Sequence, residues 1–260
     1  MNPTAPRPVE GHELLLGKTV LVTAAAGTGI GFSTAKRCLE EGARVMISDI
    51  HERRLAEAVA ALEEVAGSKV PSRLCNVRSD AEVRALVAAG IEELGQIDVL
   101  FNNAGLGGTT PVVEMTDEQW DSVLDITLTG TFRMTRAVLP HMIERQSGVI
   151  INNASVLGWR AQVGQGHYAA AKAGVMALTR CAALEVAEHG VRINAVSPSL
   201  ATHAFLSRVM PQETLDELTG REAYGRGAEP WEVANVVVFL ASDYSAYMTG
   251  EAVSVSSQRA

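Results

Sequence analysis

Cysteine is scarce, positive charge is outnumbered, and no apolar run is long. The three cysteines, Cys38, Cys75 and Cys181, lie far apart and form neither a Cys-x-x-Cys pair nor a metal-ligand spacing. An odd, small number excludes a disulfide framework and points to reduced thiols in a cytoplasmic setting. No grouping of His, Asp or Cys has metal-site spacing, so no metal is expected. Lys and Arg number 22 against 30 Asp and Glu, a net charge of -8. That balance argues against a nucleic-acid or anionic-membrane surface, but leaves room for a local basic spot that holds an anionic ligand. No apolar stretch reaches membrane-spanning length. Residues 1–12 carry charge and Pro3, Pro6 and Pro8, which is no signal peptide and reads as a flexible arm. Repeats, linkers and low-complexity segments are absent.

What is present fits one large α/β domain over residues 13–260, with ample core at this length. Short apolar runs at 18–23, 44–48, 70–75, 98–102, 149–152, 192–196 and 252–255 read as strands. Helical patterns separate them at 30–41, 51–65, from Asp80 as a plausible N-cap, at 116–145, 166–189 and 230–241. Thr116 and Gln119 form a capping-box pattern, and Pro230 opens the last helix. Residues 199–227 are irregular with helical pieces. Repeated βα units predict a Rossmann-type doubly wound parallel sheet of about seven strands, with helices on both faces.

Two constellations carry chemistry. Tyr168 and Lys172 are four apart on a helix and share one face. An ammonium beside a phenol favours the phenolate and lowers the tyrosine pKa, which makes a proton donor and acceptor usable near neutral pH. Ser155, at a preceding strand end, can hydrogen-bond the same substrate oxygen. The second constellation joins the first strand to the first helix: Thr23-Ala-Ala-Ala-Gly27-Thr28-Gly29-Ile30-Gly31. Glycines let the backbone approach a pyrophosphate, and the helix N-terminus supplies amide donors. Asp49 ends the second strand about twenty residues on, where a carboxylate accepts from a ribose diol and repels a 2′-phosphate. NAD(H) is therefore favoured over NADP(H), although Arg53 and Arg54 nearby weaken that preference. Asn102-Asn103-Ala104-Gly105, at the fourth strand end, faces the same crevice.

Together these residues resemble the short-chain dehydrogenase/reductase family, from about Gly17 to the C-terminus. Arg192-Ile-Asn-Ala-Val-Ser-Pro198, Phe239-Leu-Ala-Ser-Asp243 and Thr249-Gly250-Glu251 extend the likeness. The resemblance implies an oxidoreductase interconverting a secondary alcohol and a ketone. Tyr168 would be its acid/base, Ser155 would polarise the substrate oxygen, and Lys172 would tune the tyrosine and hold the nicotinamide ribose. It implies cofactor contacts from Thr23, Ala25, Gly27, Thr28, Gly29, Ile30, Asp49, Asn76, Val77, Asn103, Ala104, Gly105 and Pro198. The segment after Pro198 becomes a substrate lid, and assembly as a homotetramer or homodimer follows. Trp159, Arg160, His203 and Phe205 are candidate substrate residues; Arg160 reads equally as an ordinary surface arginine or a partner for a carboxylate or CoA phosphate. His167 is read as a neutral wall residue. The phrases at 154–162 and 253–258 are similar to actinobacterial reductases of late steroid-ring breakdown, which act on a bicyclic indane-type CoA thioester. A 3-oxoacyl-thioester reductase using NADPH and a non-catalytic nucleotide sensor are the alternatives.

Departures from the family pattern are specific. The first glycine of the turn is Ala24 or Ala25, and one extra residue precedes Gly29. The family's adenine-touching Asp is Asn76. Its fourth catalytic residue, an Asn that holds a relay water, falls at Thr127, which has a hydroxyl but not an amide's reach. Pro198-Ser199 replaces Pro-Gly, and Ser256-Ser257-Gln258 replaces the terminal Asp-Gly-Gly.

Overall fold

Alternation along the strands sets the layers of the computed structural model, which describes residues 9–202 and 212–258. In β1 (Thr19–Val22), Val20 and Val22 join one core and Leu21 the other. The next strand, β2 (Arg44–Asp49), sorts Val45 and Ile47 against Met46 in the same way. In β4 (Val99–Asn102), Val99 and Phe101 oppose Leu100. Successive side chains point to opposite faces, so these strands are apolar on both sides and need helices on both.

The remaining strands are β3 (Ser72–Leu74), β5 (Gly148–Asn153), β6 (Val191–Pro198) and β7 (Ala252–Val255). The order is β3-β2-β1-β4-β5-β6-β7, and every pairing is parallel. Helices α1 (Ile30–Glu40), α2 (Glu52–Ala66) and α8 (Pro230–Ala241) contribute to one core through Ala35, Leu62 and Val237. Helices α3 (Asp80–Leu94), α5 (Gly130–Glu144) and α6 (Gly166–Val186) contribute to the other through Leu86, Val138 and Ala183. Two shorter helices follow among the described residues, α4 (Asp117–Leu124) and α7 (Gln212–Gly220). The direction of winding reverses between β1 and β4, which opens a crevice at the strand carboxyl ends.

Three local readings change. Ser79, not Asp80, caps α3: its hydroxyl accepts from Glu82 N, while Asp80 is the first helical residue. The helical region after Thr116 is not continuous. The capping box of Thr116 and Gln119 starts α4 as expected, but Asp125–Thr129 winds as a π-turn before α5. Strand β3 is shorter than its apolar pattern, because this edge strand has β2 as its neighbour and its three residues are exposed. The stretch 9–14 is tied to α1: Arg37 Nη1 donates to Val9 O at 3.3 Å, and His12 N and Leu14 N donate to Glu41 Oε2. No helix among the described residues is long and apolar enough to cross a membrane.

Candidate active site

The turn after β1 is built by close approach. Ala24 takes φ +49°, the left-handed conformation that glycine adopts without strain. Ala24 is thus the counterpart of the family's first glycine. Ala25 has no exposed surface and its N–H donates to Ser48 O, so it faces the core rather than a ligand. Thr23 is also buried; its hydroxyl donates to Phe101 O and accepts from Asn103 N and Ala104 N. It shapes the crevice instead of lining it. Gly29 is the N-cap of α1 and no side chain caps that helix, which leaves its first-turn amides for an anion. Gly27, at φ +101° with nothing near a Cβ position, keeps the turn open.

Asp49 is buried at the end of β2, with its oxygens accepting from Ala26 N at 3.1 Å and His51 N at 3.0 Å. Burial pushes its carboxyl above the ordinary value, against the Ala26 amide and the Arg54 charge. Asn76 Oδ1 accepts from Arg78 N, and Val77 packs against Gly130. These residues fit a dinucleotide: an uncapped helix start for the diphosphate and a carboxylate at the next strand end for the ribose.

The acid/base set stands across the same crevice. Ser155 begins a 3-10 turn after β5, where its Oγ accepts from Leu157 N at 3.2 Å. Tyr168 and Lys172 project from the first turns of α6. Ser155 stands close enough to the Tyr168 side chain to favour its phenolate. The Lys172 ammonium lies 5.5 Å from the tyrosine ring centroid and donates to Asn153 O at 2.5 Å. Burial pushes the Lys172 pKa down to about 8. Burial also raises the Tyr168 pKa, with the nearby Ser155 hydroxyl opposing. The expectation of a depressed tyrosine is therefore not met in the protein alone, because burial disfavours the phenolate.

A polar chain links the two halves. Asn103 Nδ2 donates to Ala24 O, Asn153 Nδ2 donates to Asn103 Oδ1, and Asn153 O receives Lys172. Asn153 was not singled out by sequence reasoning, although it stands two residues before Ser155. Thr127, fully buried in the π-turn, accepts from Leu106 N at 3.0 Å and donates to Leu106 O at 3.2 Å. A Cβ on Gly105 would sit 3.5 Å from Lys172 Nζ and 3.7 Å from Thr127 Oγ1, so both line one small gap. Departures from regular helix of this kind cluster at functional sites.

Other candidates are scattered. Pro198 is buried at the end of β6. Trp159 is exposed on the loop after Ser155, and Arg160 is half-buried beside it. His203 and Phe205 lie outside the described residues. His167 is buried with its Nε2 facing Gly108, and burial holds it below the ordinary imidazole value. Among the described residues no group of three His, Cys, Asp or Glu could hold a metal ion.

The geometry agrees with known proteins. A family model described as enoyl-(acyl carrier protein) reductase matches residues 24–257. A Mycobacterium tuberculosis protein is 60% identical over 98% of this chain and 97% of its own length. The chain belongs to the short-chain dehydrogenase/reductase family. That relative is named (5R,7aS)-5-hydroxy-7a-methyl-1-oxo-2,3,5,6,7,7a-hexahydro-1H-indene-carboxyl-CoA reductase. A short-chain dehydrogenase structure from Mycobacterium smegmatis is 58% identical, with a TM-score of 0.88 and 99% of each chain covered. Carveol dehydrogenase from Mycobacterium avium, solved with NAD, is 28% identical with a TM-score of 0.87, covering 94% of this chain and 98% of that one. As a family member the chain is an oxidoreductase of CH–OH groups that uses a nicotinamide cofactor.

Proposed function

We propose that this protein interconverts a secondary alcohol and a ketone on a bicyclic, steroid-derived CoA thioester, with NAD(H) as its cofactor. The observation that carries the chemistry is the buried Lys172 ammonium 5.5 Å from the Tyr168 ring centroid, with Ser155 beside the same tyrosine. The substrate class rests on the indene-carboxyl-CoA reductase that shares 60% of its residues over nearly the whole chain. A bound nicotinamide supplies or accepts the hydride. In the reducing direction Tyr168 Oη gives its proton to the new alkoxide oxygen, and in the oxidising direction it takes the hydroxyl proton. Ser155 Oγ hydrogen-bonds that oxygen in both. A raised phenol pKa keeps Tyr168 protonated in the protein alone, ready to donate. The positive charge of Lys172, and of the oxidised cofactor when bound, then stabilises the phenolate left behind.

Gly27, Thr28, Gly29 and Ile30 would hold the diphosphate, Asp49 the adenosine ribose, and Lys172 the nicotinamide ribose. Asn76, Val77, Asn103, Ala104, Gly105 and Pro198 line the remainder. The Asp49 charge repels a 2′-phosphate and so disfavours NADP(H). Thr127 is the relay candidate: it shares the gap at Gly105 with Lys172, and turning its hydroxyl off Leu106 O lets it pass a proton. The substrate lid is assigned to residues 199–227, of which 203–211 lie outside the described residues, and the working form is a cytoplasmic homotetramer or homodimer.

An assay of bicyclic ketone and alcohol CoA thioesters, run separately with NAD(H) and NADP(H), tests the reading. Turnover with NAD(H) is expected; a strong NADP(H) preference refutes the Asp49 argument. Tyr168→Phe should lose turnover by roughly 100-fold or more and keep cofactor affinity, and near-normal turnover in that variant refutes the mechanism.

A further inference from the structure

Arg160 is a sheltered cation with little to hold it. Its N–H donates to Val156 O at 2.9 Å, which continues the turn that Ser155 begins. Its guanidinium is half-buried, and Nη1 donates to Gln258 Oε1 at 2.6 Å. Among the described residues no carboxylate forms an ion pair with it. Arg133, Arg145 and Arg226, also half-buried, and the buried Arg37 each hold a carboxylate. Arg192 spends its donors on Leu240 O, Ser242 O and Ser245 Oγ.

The partner of Arg160 is itself fixed. Gln258 Nε2 donates to Glu222 Oε1 at 3.0 Å, and the buried Glu222 also accepts from Ser257 Oγ at 2.8 Å and Leu200 N at 3.4 Å. The amide presents its oxygen to Arg160 and its NH2 to Glu222, which aims the guanidinium without neutralising it. Arg160 thus stands where the serine loop, the segment after β6 and the C-terminal strand end meet. Trp159 and Val163, on the same loop, are exposed and apolar. A planar, weakly hydrated cation beside apolar surface suits an oxyanion attached to an apolar body.

We propose that Arg160 is a specificity-determining residue of this site, binding an oxyanion of the substrate, with Gln258 and Glu222 as its positioning residues. This rests on the acyl-CoA reading above. The oxyanion is a phosphate of the CoA.

Calorimetric titration of the NAD-loaded protein tests it, with coenzyme A, pantetheine (which lacks the phosphates) and indane-5-carboxylate as probes. Arg160→Gln should weaken coenzyme A by about 10-fold or more, as expected for a lost charge-assisted contact, with pantetheine and NAD affinities unchanged. Gln258→Glu, which sets a carboxylate against Arg160, should show the same selective loss. A selective loss for indane-5-carboxylate, with coenzyme A affinity unchanged, overturns the phosphate assignment. Equal affinity of wild type and Arg160→Gln for coenzyme A overturns the proposal and leaves the thioester reading standing. Failure of the wild type to bind coenzyme A overturns both.

Discussion

Replacing Gly31 by alanine sets helix propensity against packing, and the structure says which wins. Gly31 is the second residue of α1. A Cβ there would press into the Ala24 carbonyl oxygen and come within 2.5 Å of Asn103 Nδ2. Neither neighbour yields easily. Ala24 already sits at φ +49°, and its carbonyl holds Asn103 Nδ2 at 2.9 Å. Asn103 is held in turn by Asn153. Overpacking of this kind costs about 1–3 kcal/mol, and loss of the Asn103 hydrogen bond adds about 1 kcal/mol. Helix propensity returns up to about 1 kcal/mol. The net loss is about 1–3 kcal/mol, a fall in Tm of roughly 2–12 °C for a domain of this size. Scanning calorimetry measures the fall. A fluorescence titration should show weaker NAD(H) binding as well, since the displaced carbonyl belongs to the diphosphate turn. An unchanged or raised Tm, as propensity alone requires, refutes the packing argument.

Two further outcomes follow from buried groups near the site. Lys172 has its pKa lowered from 10.5 to about 8 in the folded protein. Between those values the unfolded state binds more protons, so stability rises with pH, by up to about 3 kcal/mol on linkage grounds. Lys172→Met should lack that rise. The difference in Tm between the two proteins, followed from pH 7.5 to 10.5, measures it, and a constant difference contradicts the burial effect. Thr127→Val keeps the shape but strips both hydrogen bonds from Leu106. Urea unfolding should show a loss of about 1–3 kcal/mol, and an unaltered midpoint would mean that Leu106 finds other partners.

The sequence by itself determined the layers and the chemical set. Apolar alternation in Val20-Leu21-Val22 and Val99-Leu100-Phe101 requires a sheet covered on both faces, because period-two side chains reach both sides. Helical spacing puts Tyr168 and Lys172 on one face wherever α6 packs. The capping pattern at Thr116 and the proline at 230 mark helix starts through local geometry alone.

Only the tertiary structure decided what depends on distant partners. Thr127 and Leu106 are 21 residues apart, and Arg160 and Gln258 are 98 apart. No local period foretells either pairing. The π-turn at Asp125–Thr129 interrupts a helical pattern that propensity would continue. Ala24 rather than Ala25 takes the left-handed position because Ala25 is drawn into the core beneath Ser48. The tyrosine pKa rises where spacing had suggested a fall. Spacing reports which charge is near, whereas desolvation depends on how much of the chain closes over the phenol, and that closure exists only in the folded molecule.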